Sequence, residues 1–195
     1  MRFIGFYDYT VILTYMSLVS AVWGMVCASR GNFGCAVICL MISGVCDAFD
    51  GTVARTKKNR TDDEKSFGIQ LDSLCDVVSF GVAPAFTCYC MGVNGFIGTV
   101  IVMVFCLCAV IRLAFFNVLE TKRQQVEEGS GKGYRGLPVT SISGIFPLVY
   151  LFRPIMSQAA FAVVLHIMLA VVAFLFVLDF SVKKPNLKKL FTKQA

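Results

Sequence analysis

The sequence is poor in charged residues, and those it has are unevenly spread. Only 15% of its 195 residues are Asp, Glu, Lys or Arg, whereas 57% are hydrophobic and the mean hydropathy is +0.74. Average soluble domains are about 45–50% apolar. Charge is absent from five stretches: residues 9–29, 31–46, 77–111, 136–152 and 154–178. This distribution excludes an ordinary soluble domain and predicts an all-α integral membrane protein.

Histidine is almost absent as well, which limits the chemistry open to the nine cysteines. The single histidine, His166, falls in the last apolar stretch, and the Cys-x-Cys pairs at 88/90 and 106/108 lack the spacing of a zinc site. All nine cysteines lie in or beside apolar stretches, where cysteine behaves as a small hydrophobic residue. We therefore interpret the cysteines and His166 as packing residues.

No linker, repeat or low-complexity tract divides the chain, so residues 1–195 are expected to form a single membrane domain. A spanning helix needs about 20 apolar residues, and the longest uncharged stretch provides most of two, separated at Gly92–Gly95. The first span has no convincing cleavage site after it and is expected to remain uncleaved. Six spans are expected, at roughly 9–29, 31–52, 68–91, 96–119, 136–153 and 156–180.

Lysine and arginine occur almost entirely on one side of the predicted spans. Fifteen of the 18 lie there, and the exceptions are Arg30, Arg112 and Arg153. Because cytoplasmic loops are enriched in these residues, both termini are expected in the cytoplasm. The net charge of +6 then comes from basic loops next to the membrane, which are attracted to anionic lipid headgroups. No nucleic-acid partner is expected.

Four aspartates fall where two apolar segments should enter the membrane. The uncharged stretch 31–46 has only 16 residues, and the part of 77–111 that precedes the Gly92–Gly95 break, 77–91, has 15, so each needs about one more turn to cross a core of about 30 Å. The added turns contain Asp47 and Asp50 in one case and Asp72 and Asp76 in the other. One acid at the centre of a span costs about 2.5–3.5 kcal/mol, so four would cost about 10–14 kcal/mol. The compensation we expect is a pair of hard divalent cations.

Residues three or four apart share a helix face, and this spacing groups the acids with small residues. Because about a dozen polar residues connect the two segments, the helices are expected to be antiparallel neighbours whose carboxylates meet around two metal ions about 3.5–4 Å apart. Small residues alone are typical of close helix packing, but beside carboxylates they favour space for a phosphorylated ligand. Two stripes result, one of Asp47, Asp50, Gly51 and Ala54, and one of Gly68, Asp72 and Asp76. Arg55 closes the first stripe, where its guanidinium could grip a phosphate or simply obey the positive-inside rule.

The pattern Asp-x-x-Asp-Gly-x-x-Ala-Arg, then Gly-x-x-x-Asp-x-x-x-Asp, resembles the signature of the CDP-alcohol phosphotransferases, integral membrane enzymes of phospholipid synthesis. All eight signature residues match, although 12 residues separate Arg55 from Gly68, more than is usual for the family. The resemblance implies that the four aspartates hold two Mg²⁺ or Mn²⁺ ions and that Asp76 also takes the proton of the attacking hydroxyl. It further implies a homodimer, and a cytidine diphosphate pocket lined by Gly51, Ala54, Arg55 and Gly68.

Beyond the signature, the segments 71–84, 111–117 and 136–138 are similar to the phosphatidylserine synthase branch of the family. This implies that CDP-diacylglycerol reacts with L-serine to give phosphatidylserine and CMP, at the cytoplasmic face of a bacterial-type cytoplasmic membrane. Because serine carries a carboxylate, a cation is expected near the site. Arg112 is the first choice, unless it pairs structurally with one of the aspartates, and Arg135 and Lys132 come next.

Two alternatives stay open. In the first the reaction is kept and the acceptor is glycerol 3-phosphate or an inositol phosphate. Such acceptors carry a phosphate and are expected to need several cations near the pocket, whereas a single cation inside the spans fits an amino acid better. In the second the chain is a cation or proton transporter that uses its intramembrane acids. A transporter is expected to place them near the midplane and needs no Gly-x-x-Ala-Arg run.

Overall fold

The structure, a computed structural model, describes residues 5–7, 9–54, 56–57, 61–125 and 134–182, without the side chains at 120–125, 134–135 and 181–182. The described chain is a helical bundle, in which two-residue strands β1 (Tyr134–Arg135) and β2 (Ser181–Val182) form one antiparallel pair. The predicted all-α class is confirmed. The α-helices are α1 Ile12–Ser29, α2 Phe33–Ala54, α3 Asp62–Asp76, α4 Ala83–Cys90, α5 Gly95–Gln125, α6 Ile142–Tyr150 and α7 Gln158–Val177.

Within the described residues, five helical stretches are long and apolar enough to cross a membrane. The predicted span 136–153 corresponds to a shorter helical stretch, Val139–Ile155, in which short 3₁₀ turns flank α6 and Pro147 lies inside it. Length and composition thus identify an integral membrane protein. The five stretches are Tyr9–Ser29, Phe33–Ala54, Asp62–Cys90, Gly95–Leu119 and Gln158–Val177.

Helices α1 and α2 form a tight hairpin held by small polar side chains. The Ser17 and Ser43 hydroxyl oxygens lie 2.7 Å apart, and Ser20 Oγ donates to the Cys39 carbonyl at 2.8 Å. At Gly24 an added Cβ would lie 3.0 Å from Cys39 Cβ, so the backbones approach closely there. Such hydroxyl and glycine contacts are a common way for membrane helices to associate.

The third spanning stretch changes its helical type just after the second pair of aspartates. Helix α3 begins with a capping box in which Thr61 and Glu64 satisfy each other's backbone N–H groups. Residues Val77–Val82 are π-helical, and α4 follows with Pro84 in its first turn. Proline has no N–H for the carbonyl four residues earlier, and a π-helical turn accommodates the interruption.

The main core lies among α2, α4, α5, α6, α7 and the π-helical segment. Phe80, Phe105 and Phe146 are completely buried there. By contrast, Phe96 and Phe174 on α5 and α7 are strongly exposed. Large apolar side chains on the outside suit a bundle whose surrounding solvent is lipid.

Candidate active site

The four aspartates converge at one end of α2 and α3. Carboxylate oxygens of Asp47, Asp50 and Asp72 all lie within 4.8 Å of one another. Asp76, at the end of α3, is only 8% exposed, and its carboxyl group is within hydrogen-bonding reach of that of Asp47. The structure therefore brings together the four acids that helical spacing placed on two stripes.

The two aspartate-bearing helices meet through their side chains. Helix α3 packs its backbone on α1 and α5, whereas α2 packs along α1 and α6 and touches the third stretch through the π-helical segment and α4. Carboxylate oxygens of Asp47 and Asp50 on α2 and of Asp72 on α3 nevertheless lie within 4.8 Å of one another. Two helices arranged in this way leave room for a bound ion between their carboxylates, which closely packed backbones would not.

Neighbouring hydroxyl and amide groups orient the cluster. Thr14 Oγ1 on α1 donates to Asp50 Oδ2 at 3.2 Å. Next to Asp72, Ser73 Oγ donates to Asn117 Oδ1 on α5 at 2.8 Å, which ties α3 to α5 at the level of the acids. Partners of this kind hold metal-ligating carboxylates in position and are part of the design of a metal site. Sequence analysis missed Thr14, because a lone threonine in an apolar helix carries no signal.

One carboxylate oxygen indicates what the site lacks. Among the described residues, two buried side-chain atoms have no hydrogen-bond partner, Asp72 Oδ1 and Ser79 Oγ. Buried polar atoms are nearly always satisfied, so such an atom points to a missing partner. Carboxylate oxygens are the ligands that Mg²⁺ and Mn²⁺ prefer, and three residues already offer them within 4.8 Å. The residues therefore fit a divalent cation.

Open space lies beside the cluster where the nucleotide was expected. Gly51 follows Asp50 on α2, is exposed, and nothing lies within 4 Å of where its Cβ would be. Ala54 is the last residue of α2, and Gly68 is half-buried on α3. Arg55 lies outside the described residues.

Arg112 connects three parts of the bundle. This residue of α5 is 9% exposed, and its Nε donates to the Leu137 carbonyl at 3.0 Å. Gly136 has a φ of +70°, and a Cβ there would lie 3.1 Å from the Arg112 guanidinium carbon. Asp179, just after α7, is near enough to interact electrostatically with Arg112, and sequence analysis did not single it out. Of the other expected serine ligands, Lys132 lies outside the described residues and Arg135 is described only as backbone in β1.

A cavity of about 230 Å³ lies elsewhere, near the start of α2. Phe33, Arg153 and Phe161 are among the residues that line it. Asp47 is 14 residues further along α2 than Phe33, about 21 Å on a helix, so this cavity is separate from the aspartate cluster. His166 Nδ1 lies 2.7 Å from the Ala162 carbonyl oxygen one turn earlier in α7. This local contact suits the interpretation of His166 as a packing residue.

Comparison with known proteins shows the family of this chain. The family model for CDP-alcohol phosphatidyltransferase matches residues 9–178. An archaetidylserine synthase from Methanothermobacter thermautotrophicus is 34% identical over 129 residues, 66% of this chain and 51% of the relative. Proteins named CDP-diacylglycerol–serine O-phosphatidyltransferase are 34% identical over 131 residues in Methanocaldococcus jannaschii (66% and 54% covered) and 37% over 116 in Saccharomyces cerevisiae (58% and 41%). The chain thus spans about half the length of the curated relatives it matches.

Proposed function

Because the chain belongs to the CDP-alcohol phosphatidyltransferase family, we propose that it transfers the phosphatidyl group of CDP-diacylglycerol to L-serine, giving phosphatidylserine and CMP. The observation that carries this proposal is the convergence of four aspartates in two apolar helices, one with a buried oxygen that has no protein partner. Relatives named for a serine acceptor support serine over glycerol 3-phosphate or an inositol phosphate.

The proposed reaction is a substitution at phosphorus. The serine hydroxyl oxygen attacks the phosphorus that bears the diacylglycerol, and the bond from that phosphorus to the bridging pyrophosphate oxygen breaks. CMP leaves with the bridging oxygen. The hydroxyl proton passes to Asp76, a buried carboxyl group at the end of α3 that acts as the general base.

The four aspartates, Asp47, Asp50, Asp72 and Asp76, would hold two divalent cations, Mg²⁺ or Mn²⁺, as the family resemblance implies. When bound, such ions neutralise the pyrophosphate and polarise its phosphorus. The protein's own part is orientation, through Thr14 on Asp50 and through the Ser73–Asn117 bond beside Asp72.

The nucleotide would occupy the open side of the cluster. We assign the cytidine diphosphate to the space over Gly51 and Ala54, with Gly68 opposite and Arg55 on the phosphates. A bare glycine lets the pyrophosphate approach the α2 backbone, which no larger residue would allow. For the serine carboxylate we assign Arg112, with Arg135 and Lys132 as further cations.

The membrane setting is also part of the proposal. The lysine and arginine distribution supports a cytoplasmic site and two cytoplasmic termini, so that the lipid tails of the substrate stay in the bilayer while serine arrives from water. One core shared by α2, α4, α5, α6 and α7 supports a single membrane domain. A homodimer follows from the family resemblance, and light scattering of the detergent-solubilised protein would test it.

The test is CMP release by the purified protein. It is incubated with CDP-diacylglycerol, Mn²⁺ or Mg²⁺, and serine, glycerol 3-phosphate or inositol phosphate in turn. We expect serine-dependent release that Asp76→Asn abolishes and that Asp62→Asn retains, because Asp62 is an exposed acid paired with Lys65 at the start of α3. CMP release with glycerol 3-phosphate but not with serine would show that glycerol 3-phosphate is the acceptor. No release with any alcohol would favour the alternative that the chain is a cation or proton transporter.

A further inference from the structure

Two cysteines face each other across the turn between α1 and α2. Cys27 lies in the last turn of α1 and Cys35 in the first turn of α2, and their Sγ atoms are 3.0 Å apart. A disulfide has an S–S distance of about 2.05 Å, so an approach of about 1 Å would join them. We propose that Cys27 and Cys35 form a disulfide that closes the α1–α2 hairpin, although sequence alone assigns both to packing.

The turn itself holds the two thiols in place. The Cys27 carbonyl accepts hydrogen bonds from the backbone N–H groups of Arg30 at 3.2 Å and Asn32 at 2.9 Å. Asn32 Oδ1 in turn accepts from the Cys35 backbone N–H at 3.2 Å. Both cysteine backbones are thus bonded to the same three-residue connection, and the Sγ contact follows from a defined turn.

The position of the pair suits an oxidising compartment. Cys35 lies 12 residues before Asp47 on α2, about 18 Å along the helix, so the pair is at the opposite end from the aspartates. In the orientation given under the proposed function, on which this step rests, that end faces away from the cytoplasm. Disulfides persist on that side, whereas cytosolic thiols are kept reduced.

The chemistry needs an oxidant, and we assign a disulfide-bearing thiol oxidoreductase of the extracytoplasmic side. Cys35, which is only half-buried, attacks the donor disulfide as a thiolate and forms a mixed disulfide. The buried Cys27 thiolate then displaces the donor. The two cysteines lose two protons and two electrons, and the donor disulfide is reduced to two thiols.

Cys39 provides a matched control. It lies one turn beyond Cys35 on α2, is buried, and its thiol contacts that of Cys35. Cys39 therefore shares the helix, the apolar surroundings and the neighbour of the proposed pair, but it is not the closest partner. Cys39→Ser should leave the disulfide intact, whereas Cys27→Ser and Cys35→Ser should each remove it.

The test counts thiols in the full-length protein. Cells are lysed in N-ethylmaleimide, and the protein is denatured, alkylated and weighed by mass spectrometry before and after reduction with dithiothreitol. Of the nine cysteines, we expect all but the pair, seven, to react before reduction and all nine afterwards, with Cys27 and Cys35 in one cross-linked peptide. Cys39→Ser should keep the gain of two thiols on reduction, and Cys27→Ser should lose it.

Several results would overturn the proposal: nine reactive thiols before reduction, a cross-link through Cys39, or protection that a chelator removes and dithiothreitol does not. CMP release measured on the same preparation separates this inference from the proposed function. Nine free thiols with normal serine-dependent release would sink the disulfide alone. A Cys27–Cys35 cross-link without CMP release from any alcohol would sink the proposed reaction alone.

Discussion

The hydroxyl of Thr14 on the first helix donates a 3.2 Å hydrogen bond to Oδ2 of Asp50 on the second. Thr14 is buried, and α1 supplies none of the four clustered acids. The first helix therefore contributes to the site by orienting a carboxylate that the second helix carries. Such orienting groups usually matter for metal affinity almost as much as the ligands do.

Thr14→Val keeps the side-chain shape and removes this bond. We expect the Mn²⁺ concentration that gives half-maximal CMP release to rise about 10-fold, with much of the maximal rate restored at saturating metal. Ser20→Ala is the matched control, because it removes another inter-helix hydrogen bond of α1, to Cys39, away from the acids. Equal metal dependence in the two variants would contradict an orienting role for Thr14.

Asp72→Asn should separate metal binding from folding stability. Without metal, the wild type holds three carboxylates within 4.8 Å of one another, where their charges repel. Asp72→Asn removes one of these charges, so the metal-free variant should melt at a higher temperature than the metal-free wild type. Metal at about 100 times its dissociation constant should stabilise the wild type by about 2.7 kcal/mol, and Asp72→Asn should lose most of that gain. Thermal unfolding in EDTA and in Mn²⁺ measures both effects. Asp62→Asn is the control, and an undiminished metal shift in Asp72→Asn would exclude Asp72 as a ligand.

Gly44→Ala tests the packing of α2 on α6. The added Cβ would lie 2.6 Å from Ser143 Cβ and would also meet its hydroxyl, so the helices must separate. Overpacking of this kind costs about 1–3 kcal/mol. Gly144→Ala, one residue beyond Ser143 on α6, meets nothing within 4 Å and should be tolerated. Matching melting temperatures for the two variants would show that α6 yields without cost.

Arg112→Ala should raise the KM for serine at least 10-fold and leave the KM for CDP-diacylglycerol largely unchanged, because a carboxylate would lose its cation. Steady-state CMP release with each substrate varied in turn measures this. Unchanged serine dependence would refute the assignment. Since Arg112 also bonds to the Leu137 carbonyl through Nε, Arg112→Lys is the companion variant, because it keeps the positive charge and loses that hydrogen bond. A serine KM that rises equally in both would assign Arg112 a positioning role.

Much of the fold could be predicted from the chain alone. The lengths of uncharged stretches located the helices, because a lipid environment excludes charge over about 20 residues. Helical spacing placed Asp47 with Asp50 and Asp72 with Asp76. The shortness of α6 and the π-helical turn after Asp76 were not foreseen, because they depend on Pro147 and Pro84 within stretches whose hydropathy looks continuous.

The sequence by itself determined that the bundle is surrounded by lipid, where its helices lie, and at which end of the bundle the acids must be. Only the tertiary structure decided which side chains meet between helices, such as Thr14 with Asp50, Cys27 with Cys35 and Arg112 with Leu137. Periodicity states which residues share one helix face, but not how that helix is rotated or crossed against another. Contacts between helices depend on that rotation, and it is set by the packing of the whole bundle.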